Sequence, residues 1–226
     1  SPSSYKLFGY SFLILFFELA LIRFIPSNVR ITAYFINLVL VAAFLGMGIG
    51  MIRVKRDQDL TQFFPPLLLL LVGTCVYFSN IIVVAPRLEE AMYASYADIS
   101  PNSREWGMVP VVSVFFTFSA LPFIALGYAM GNEFKNFPAL HAYAINTAGS
   151  LAGLLAFSIL SYFSTPPIIW FGLGGLLFLV LTGKKQNFII STLCLGLIFY
   201  LVQSPYQKDH EIWSPYYKIN HFSGLN

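Results

Sequence analysis

The segment Leu7–Ile25, LFGYSFLILFFELALIRFI, decides the fold. It is almost wholly apolar, with one acid, Glu18, in its middle and one base, Arg23, near its end. A membrane-spanning helix needs about 20 mostly apolar residues, and this run meets that requirement. Six more runs of the same kind follow: Ile31–Ile52, Pro66–Val84, Val109–Met130, Pro138–Phe163, Pro166–Thr182 and Phe188–Val202. The last two are the shortest. Pro26, Pro65, Pro166 and Pro167 fall at or near the ends of these runs, where proline is tolerated. The pattern predicts an all-α polytopic transmembrane helix bundle of about seven helices over residues 1–203. A short polar, strand-like tail occupies 204–226, with the sequence EIWSPYYKINHF at Glu211–Phe222.

Composition agrees. Hydrophobic residues make up 57% of the chain and charged residues 10%, against about 25% charged in a soluble domain. So much apolar material exceeds what one soluble core uses, which places the chain in the membrane class with the lipid bilayer as its first partner. The net charge is only +3 and the basic residues are scattered, so no nucleic-acid surface is expected. Cys75 and Cys194 both lie inside apolar runs, and with three histidines in the chain there is no metal-ligand spacing. No metal site and no catalytic residue is assigned to this chain.

The connections are short except Ala85–Trp106, which is rich in charge and reads as a loop region outside the lipid, its APRLEEAMYASYADI stretch suiting a short interfacial helix. If every run crosses, the N-terminal side receives Lys6, Arg53, Lys55, Arg56, Lys135, Lys184 and Lys185. The other side receives Arg23, Arg30, Arg87, Arg104, Lys208 and Lys218. Seven against six is nearly even. The denser short loops RVKRD (Arg53–Asp57) and GKK (Gly183–Lys185) favour a cytoplasmic N-terminus.

Glu18 is the acid deepest in an apolar run. A charge there costs at least ~2.5 kcal/mol, so it must be neutral, paired or facing a wet cavity. Arg23 lies about 140° around the same helix and snorkels more readily than it pairs. Counting from the run ends, Glu18 and Asn37 lie roughly 10 Å below one surface, and Asn80 approaches from the same side. A Glu18–Asn37–Asn80 cluster is expected, either as a proton relay or polar substrate site or as interhelical hydrogen bonding. Asn146, near the middle of the fifth run, suits a bond to a neighbouring helix or a ligand contact. Gly46 and Gly50 in GMGIG, and Gly149 and Gly153 in NTAGSLAG, have the four-residue spacing that lets helix backbones approach closely. GMGIG is not read as a nucleotide loop, since no strand precedes it.

Three segments, in this order along the chain, carry a family resemblance: FFELALIRFIPSNVRITAYFINLVLVAAFLGMGIGMI (Phe16–Ile52), HAYAINTAGSLAGLLAFSIL (His141–Leu160) and EIWSPYYKI in the tail. They resemble bacterial spermidine-synthase-like membrane proteins, in which a helical membrane region precedes a soluble aminopropyltransferase-like domain. In that family the first helix carries an acid and then an arginine, the second ends in glycines, and another reads YAxNxxGxxxG. Tyr143, Asn146, Gly149 and Gly153 match that last pattern. WSPYYKI, or alternatively SPYQ at Ser204–Gln207, resembles the Ser-x-Tyr-Gln stretch that opens the soluble part in a small β-region.

The resemblance implies an integral protein of a bacterial cytoplasmic (inner) membrane, whose tail is the start of an aminopropyltransferase-like domain that these residues do not contain. Its donor, decarboxylated S-adenosylmethionine, is implied for that domain and not for this chain. Tyr216 and Tyr217 would then lie at an active-site mouth; otherwise they are interfacial tyrosines of an aromatic belt. A cytoplasmic donor conflicts with seven spans and a cytoplasmic N-terminus. The conflict resolves if one short run does not cross, if the N-terminus is outside, or if the downstream domain serves another purpose. Three functions follow: the membrane anchor of such a fusion, a carrier for a small polar substrate, or a non-catalytic subunit of a homo-oligomer or larger membrane complex.

Overall fold

A computed structural model describes residues 4–35, 37–54, 59–79, 82–84, 105–183, 188–203, 211–213 and 218–220. Seven α-helices occur among the described residues: α1 (Ser4–Asn28), α2 (Leu38–Arg53), α3 (Phe64–Phe78), α4 (Met108–Phe134), α5 (Ala139–Tyr162), α6 (Pro167–Thr182) and α7 (Phe188–Val202). The all-α bundle is the fold. Two three-residue pairings accompany it. Strand β1 (Ile82–Val84) runs parallel to β2 (Glu105–Gly107), and β3 (Glu211–Trp213) runs antiparallel to β4 (Lys218–Asn220) in the tail.

Two boundaries differ from the hydropathy reading. The second run does not start as an α-helix. Arg30–Phe35 forms a 3-10 turn, and Thr32 donates to the Val29 carbonyl at 2.6 Å. The helix restarts at Leu38, with Asn37 at its N-cap position. Hydropathy cannot see this, because a 3-10 turn and an α-helix of the same residues are equally apolar. The third run stops at Phe78, and Ile82–Val84 leaves it as β1. Ile81, Ile82, Val83 and Val84 are β-branched residues, stiff at χ1 and suited to a strand.

Proline and hydroxyl residues shape the helix ends. Pro26 sits in the last turn of α1, where Ser27 donates to the Arg23 carbonyl at 2.7 Å and Asn28 to that of Phe24 at 2.8 Å. These side chains bond back onto the carbonyls four residues earlier, in the turn where Pro26 has no N–H to give.

The core is built around α1, which packs on α4, α5 and α6, while α2 lies along α4 and α3 against α4 and α7. Phenylalanines bridge these layers: Phe17–Phe64 at 5.2 Å, Phe64–Phe178 at 4.7 Å and Phe24–Phe171 at 5.1 Å between ring centroids. Such offset and edge pairs add to the dispersion gained by burial.

Outside the core the surface is also apolar. Leu151, Leu155 and Ile159 of α5, and Ile189, Leu193 and Leu197 of α7, are exposed. An apolar face of that extent is foreign to a water-soluble monomer and natural against lipid. Four segments are long and apolar enough to cross a membrane: Ser4–Asn28, Thr61–Phe78, Met108–Phe134 and Ala139–Tyr162. The chain is a membrane protein. The three remaining helices have 15 or 16 residues, roughly 23 Å of helix against a hydrocarbon core of about 30 Å. Even so, α6 lies along most of α1. A Cβ placed on Gly9 would meet Leu181, one on Gly174 would meet Phe17, and Trp170 lies under Arg23.

Candidate functional site

A polar pocket lies at the end of the bundle where α1 begins. Four chain segments reach that end: the start of α1, the turn before α3, the α4–α5 junction and the α6–α7 junction. Together they enclose a cavity of about 110 Å³. Its convergence shows that the helices alternate in direction. Lys6, Asp59, Glu133, Gly183 and Phe188 share one end, so α7 delivers Gln203 and the tail to the other. Gly183 closes α6 there with φ of 64°, a left-handed conformation that glycine adopts without strain.

Three hydroxyl residues lining the cavity are buried: Tyr10 of α1 (5% exposed), Ser191 of α7 (7%) and Thr61 of the turn before α3 (9%). None of their side-chain hydroxyls makes a hydrogen bond to a described residue. Three charged groups stand with them: the Lys6 ammonium and the carboxylates of Asp59 and Glu133. No ion pair joins these three among the described residues. One oxygen of Asp59 accepts the Thr61 N–H at 3.0 Å, and one oxygen of Glu133 accepts from Asn136 at 3.3 Å. The second oxygen of each carboxylate makes no hydrogen bond to a described residue. The space has room for several waters, and its chemistry suits a polar guest.

Glu18 lies elsewhere. It is 5% exposed, in the interior of α1, and makes no hydrogen bond or ion pair with a described residue. It is eight residues beyond Tyr10, roughly 12 Å along the helix, and does not line the cavity. Leu13, Ile14 and Phe17 are buried between the two. Asn37 is exposed at the start of α2 and makes no bond to Glu18, because the 3-10 turn moves it from the helix interior to the helix end. Asn146 is half-buried on α5 with no described hydrogen bond to Glu18. Asn80, Tyr216, Tyr217 and the stretch Ala85–Ile99 lie outside the described residues.

The four glycines sit at the closest helix approaches. A Cβ on Gly46 or Gly50 of α2 would strike the Ala120 or Ile124 carbonyl oxygen of α4. One on Gly149 or Gly153 of α5 would strike the Phe8 or Phe12 carbonyl oxygen of α1. Tyr143, from the same α5 pattern, is exposed.

Arg23 does not snorkel past the helix end. Its guanidinium lies 4.9 Å from the ring centroid of buried Trp170 and donates to the Ser161 hydroxyl at 2.5 Å. Trp170 in turn donates to Thr165 at 2.8 Å, which donates to the Leu160 carbonyl at 2.9 Å. This chain of bonds ties α1, α5 and α6 together at the end opposite the cavity.

Neither the cavity nor the Arg23 clamp follows from sequence pattern. Lys6, Asp59, Thr61, Glu133 and Ser191 each look like ordinary polarity at a helix end, and they come from four separate segments. The aromatic partner of Arg23 is 147 residues away (170 − 23). No protein-family model matches the chain, and neither does any curated protein or solved structure.

Proposed function

We propose that this chain is the integral membrane domain of a spermidine-synthase-like protein of a bacterial cytoplasmic membrane, and that it anchors and serves a soluble aminopropyltransferase-like domain joined to its tail. The observation that carries the reading is the tail. Strands β3 and β4 form an antiparallel ladder, with Glu211 opposite Asn220 and Trp213 opposite Lys218. The resemblance expects a small β-region at that place. A two-stranded ladder is marginal in water by itself and gains stability from further strands or a helix packed on it. A domain continuing from the tail supplies both.

No step of aminopropyl transfer is assigned to the described residues. In this reading decarboxylated S-adenosylmethionine is the donor of the joined domain, held by a strand, glycine-rich loop and helix unit there. The test is the intact mass of the native protein extracted from its membrane. A mass well above the 25.3 kDa of this chain is expected, together with donor-nucleoside binding by the intact protein. A mass equal to it overturns the reading.

A second reading, a carrier for a small polar substrate, is favoured by one observation: a polar cavity at one membrane surface, with the buried acid Glu18 deeper along the same helix. Substrate-dependent flux in sealed proteoliposomes, lost in Glu18→Gln, is the expected result. The absence of flux for every cavity ligand removes this reading.

A further inference from the structure

We infer that the cavity at the N-terminal end of the bundle binds a small zwitterion: a protonated primary amine and an anionic group a few bonds apart. The inference deepens the carrier reading but rests on the cavity alone, and it requires no transport.

Three features converge. The first is enclosure. Tyr10, Thr61 and Ser191 are at least nine-tenths buried, yet their hydroxyls make no hydrogen bond to any described residue while they line open space. Buried polar groups are satisfied as a rule, so hydroxyls left open around a cavity call for a polar occupant. Each can donate and accept, so the three can serve either end of a dipolar guest.

The second is charge. Lys6 offers an ammonium with three donors, and Asp59 and Glu133 each keep one oxygen without a hydrogen bond among the described residues. The cavity carries both signs without an internal ion pair. A cation alone leaves Lys6 unmatched, and an anion alone leaves the two carboxylates unmatched. A zwitterion pairs with all three: its ammonium meets Asp59 and Glu133, and its anionic group meets Lys6. Hydrogen bonds to ionised partners are the stronger kind.

The third is place. The lining groups sit at helix ends, which in a spanning bundle is where the lipid headgroups begin. The same chemistry is therefore available from two sources, a free metabolite-sized zwitterion or the ethanolamine phosphodiester headgroup of a phospholipid. A choline headgroup differs, because its quaternary nitrogen has no proton to donate to Asp59 or Glu133.

The experiment uses the intact protein. O-phosphoethanolamine is titrated by calorimetry into protein held in phosphatidylcholine nanodiscs, with ethanolamine and inorganic phosphate as the single-charge controls. In parallel, the thermal midpoint is compared between phosphatidylcholine nanodiscs and nanodiscs containing phosphatidylethanolamine. Saturable O-phosphoethanolamine binding is expected, about tenfold or more tighter than either control. It should weaken about tenfold in Lys6→Met and in Asp59→Asn. Lys6 is half-buried and Asp59 exposed, so both variants are expected to fold, which helical circular dichroism checks. Tyr10→Phe removes one hydroxyl without changing the shape of the wall, and should weaken binding less. If the lipid is the source, the midpoint rises in phosphatidylethanolamine nanodiscs, and the same variants abolish the rise. If neither binding nor a rise is seen, or if the variants and the single-charge controls behave like the zwitterion on the parent protein, the inference is overturned. Binding without flux leaves it standing and removes only the carrier reading.

Discussion

Replacing Gly50 with alanine adds one methyl group and tests the closest approach in the bundle. Its Cβ would stand at or inside 3.0 Å of three backbone atoms of α4, from Ile124, Gly127 and Tyr128. Gly46 meets Ala120 in the same way. Backbone atoms cannot swing aside as a side chain does, so α4 must withdraw, on the order of 1 Å. Met47 then separates from Gly127, which it also approaches through backbone atoms. Overpacking of this kind costs typically 1–3 kcal/mol. Alanine is a better helix former than glycine by about 1 kcal/mol, which offsets part of the strain. The net loss is then about 0–2 kcal/mol for either variant. Because one withdrawal of α4 relieves both clashes, the double variant should lose less than the sum. Gly48 is the internal control: a Cβ there meets nothing within 4 Å, so Gly48→Ala should stabilise by up to about 1 kcal/mol. Detergent-micelle unfolding, followed by loss of helicity, measures all four proteins. If Gly46→Ala and Gly50→Ala are as stable as Gly48→Ala, the close α2–α4 packing described here is wrong.

Four further outcomes are expected. Ser119 has its hydroxyl sealed on α4 without a partner, so Ser119→Ala should be neutral or stabilise by up to about 1 kcal/mol in the same unfolding assay; a clear loss would show that the hydroxyl is bonded. Arg23→Ala should cost about 2–3 kcal/mol by removing the Trp170 stack and the Ser161 bond, with a shift in tryptophan emission, and Arg23→Lys should recover part of it; no shift in either variant would dissolve the clamp. Glu18→Gln should leave the unfolding midpoint within about 1 kcal/mol, since the carboxyl has no described bond to lose; a larger drop would reveal a partner. Cysteines placed at Asn136 and Gln203 should react with an impermeant maleimide from opposite faces of sealed vesicles, against a background in which Cys75 and Cys194 are buried; labelling from one face would break the alternation of the helices.

Different physical signals explain why some of this was readable in the chain. Lipid and protein interior are both apolar, so long runs such as Leu7–Ile25 announce a helix that leaves water, whichever face it buries. The same property hides the interior boundaries. Ile31–Ile52 is one unbroken apolar run, yet it contains a 3-10 turn and a fresh helix start at Leu38. That restart carries Asn37 to the surface and dissolves the depth argument for a cluster with Glu18. The glycine spacing of Gly46–Gly50 and Gly149–Gly153 is a local signal and legible. Its partners, α4 and α1, are distant in sequence and cannot be read from spacing. The cavity is the least legible feature. Every group in it is an unremarkable helix-end residue, and only the alternation of seven helices brings them together.

The position of α1 explains why three of its polar residues behave differently. Two-thirds of its spanning window is buried inside the protein (67%), against 17% for α5, so side chains on α1 have little lipid or water to turn to. Each polar group there must find its surroundings within the bundle. Arg23 does so through Ser161 and Trp170. Tyr10 does so by facing the cavity. Glu18, between them, has no described partner, and the cost of an acid at that depth is the same whether it serves a ligand or not. Burying a polar group costs free energy unless a hydrogen bond or a partner offsets it, so the surroundings of each decide what it contributes. The surroundings these groups find on the most enclosed helix therefore give the two ends of α1 different characters: a fixed junction of three helices at the Arg23 end, which is the end that carries the tail, and an open polar chamber at the Tyr10 end.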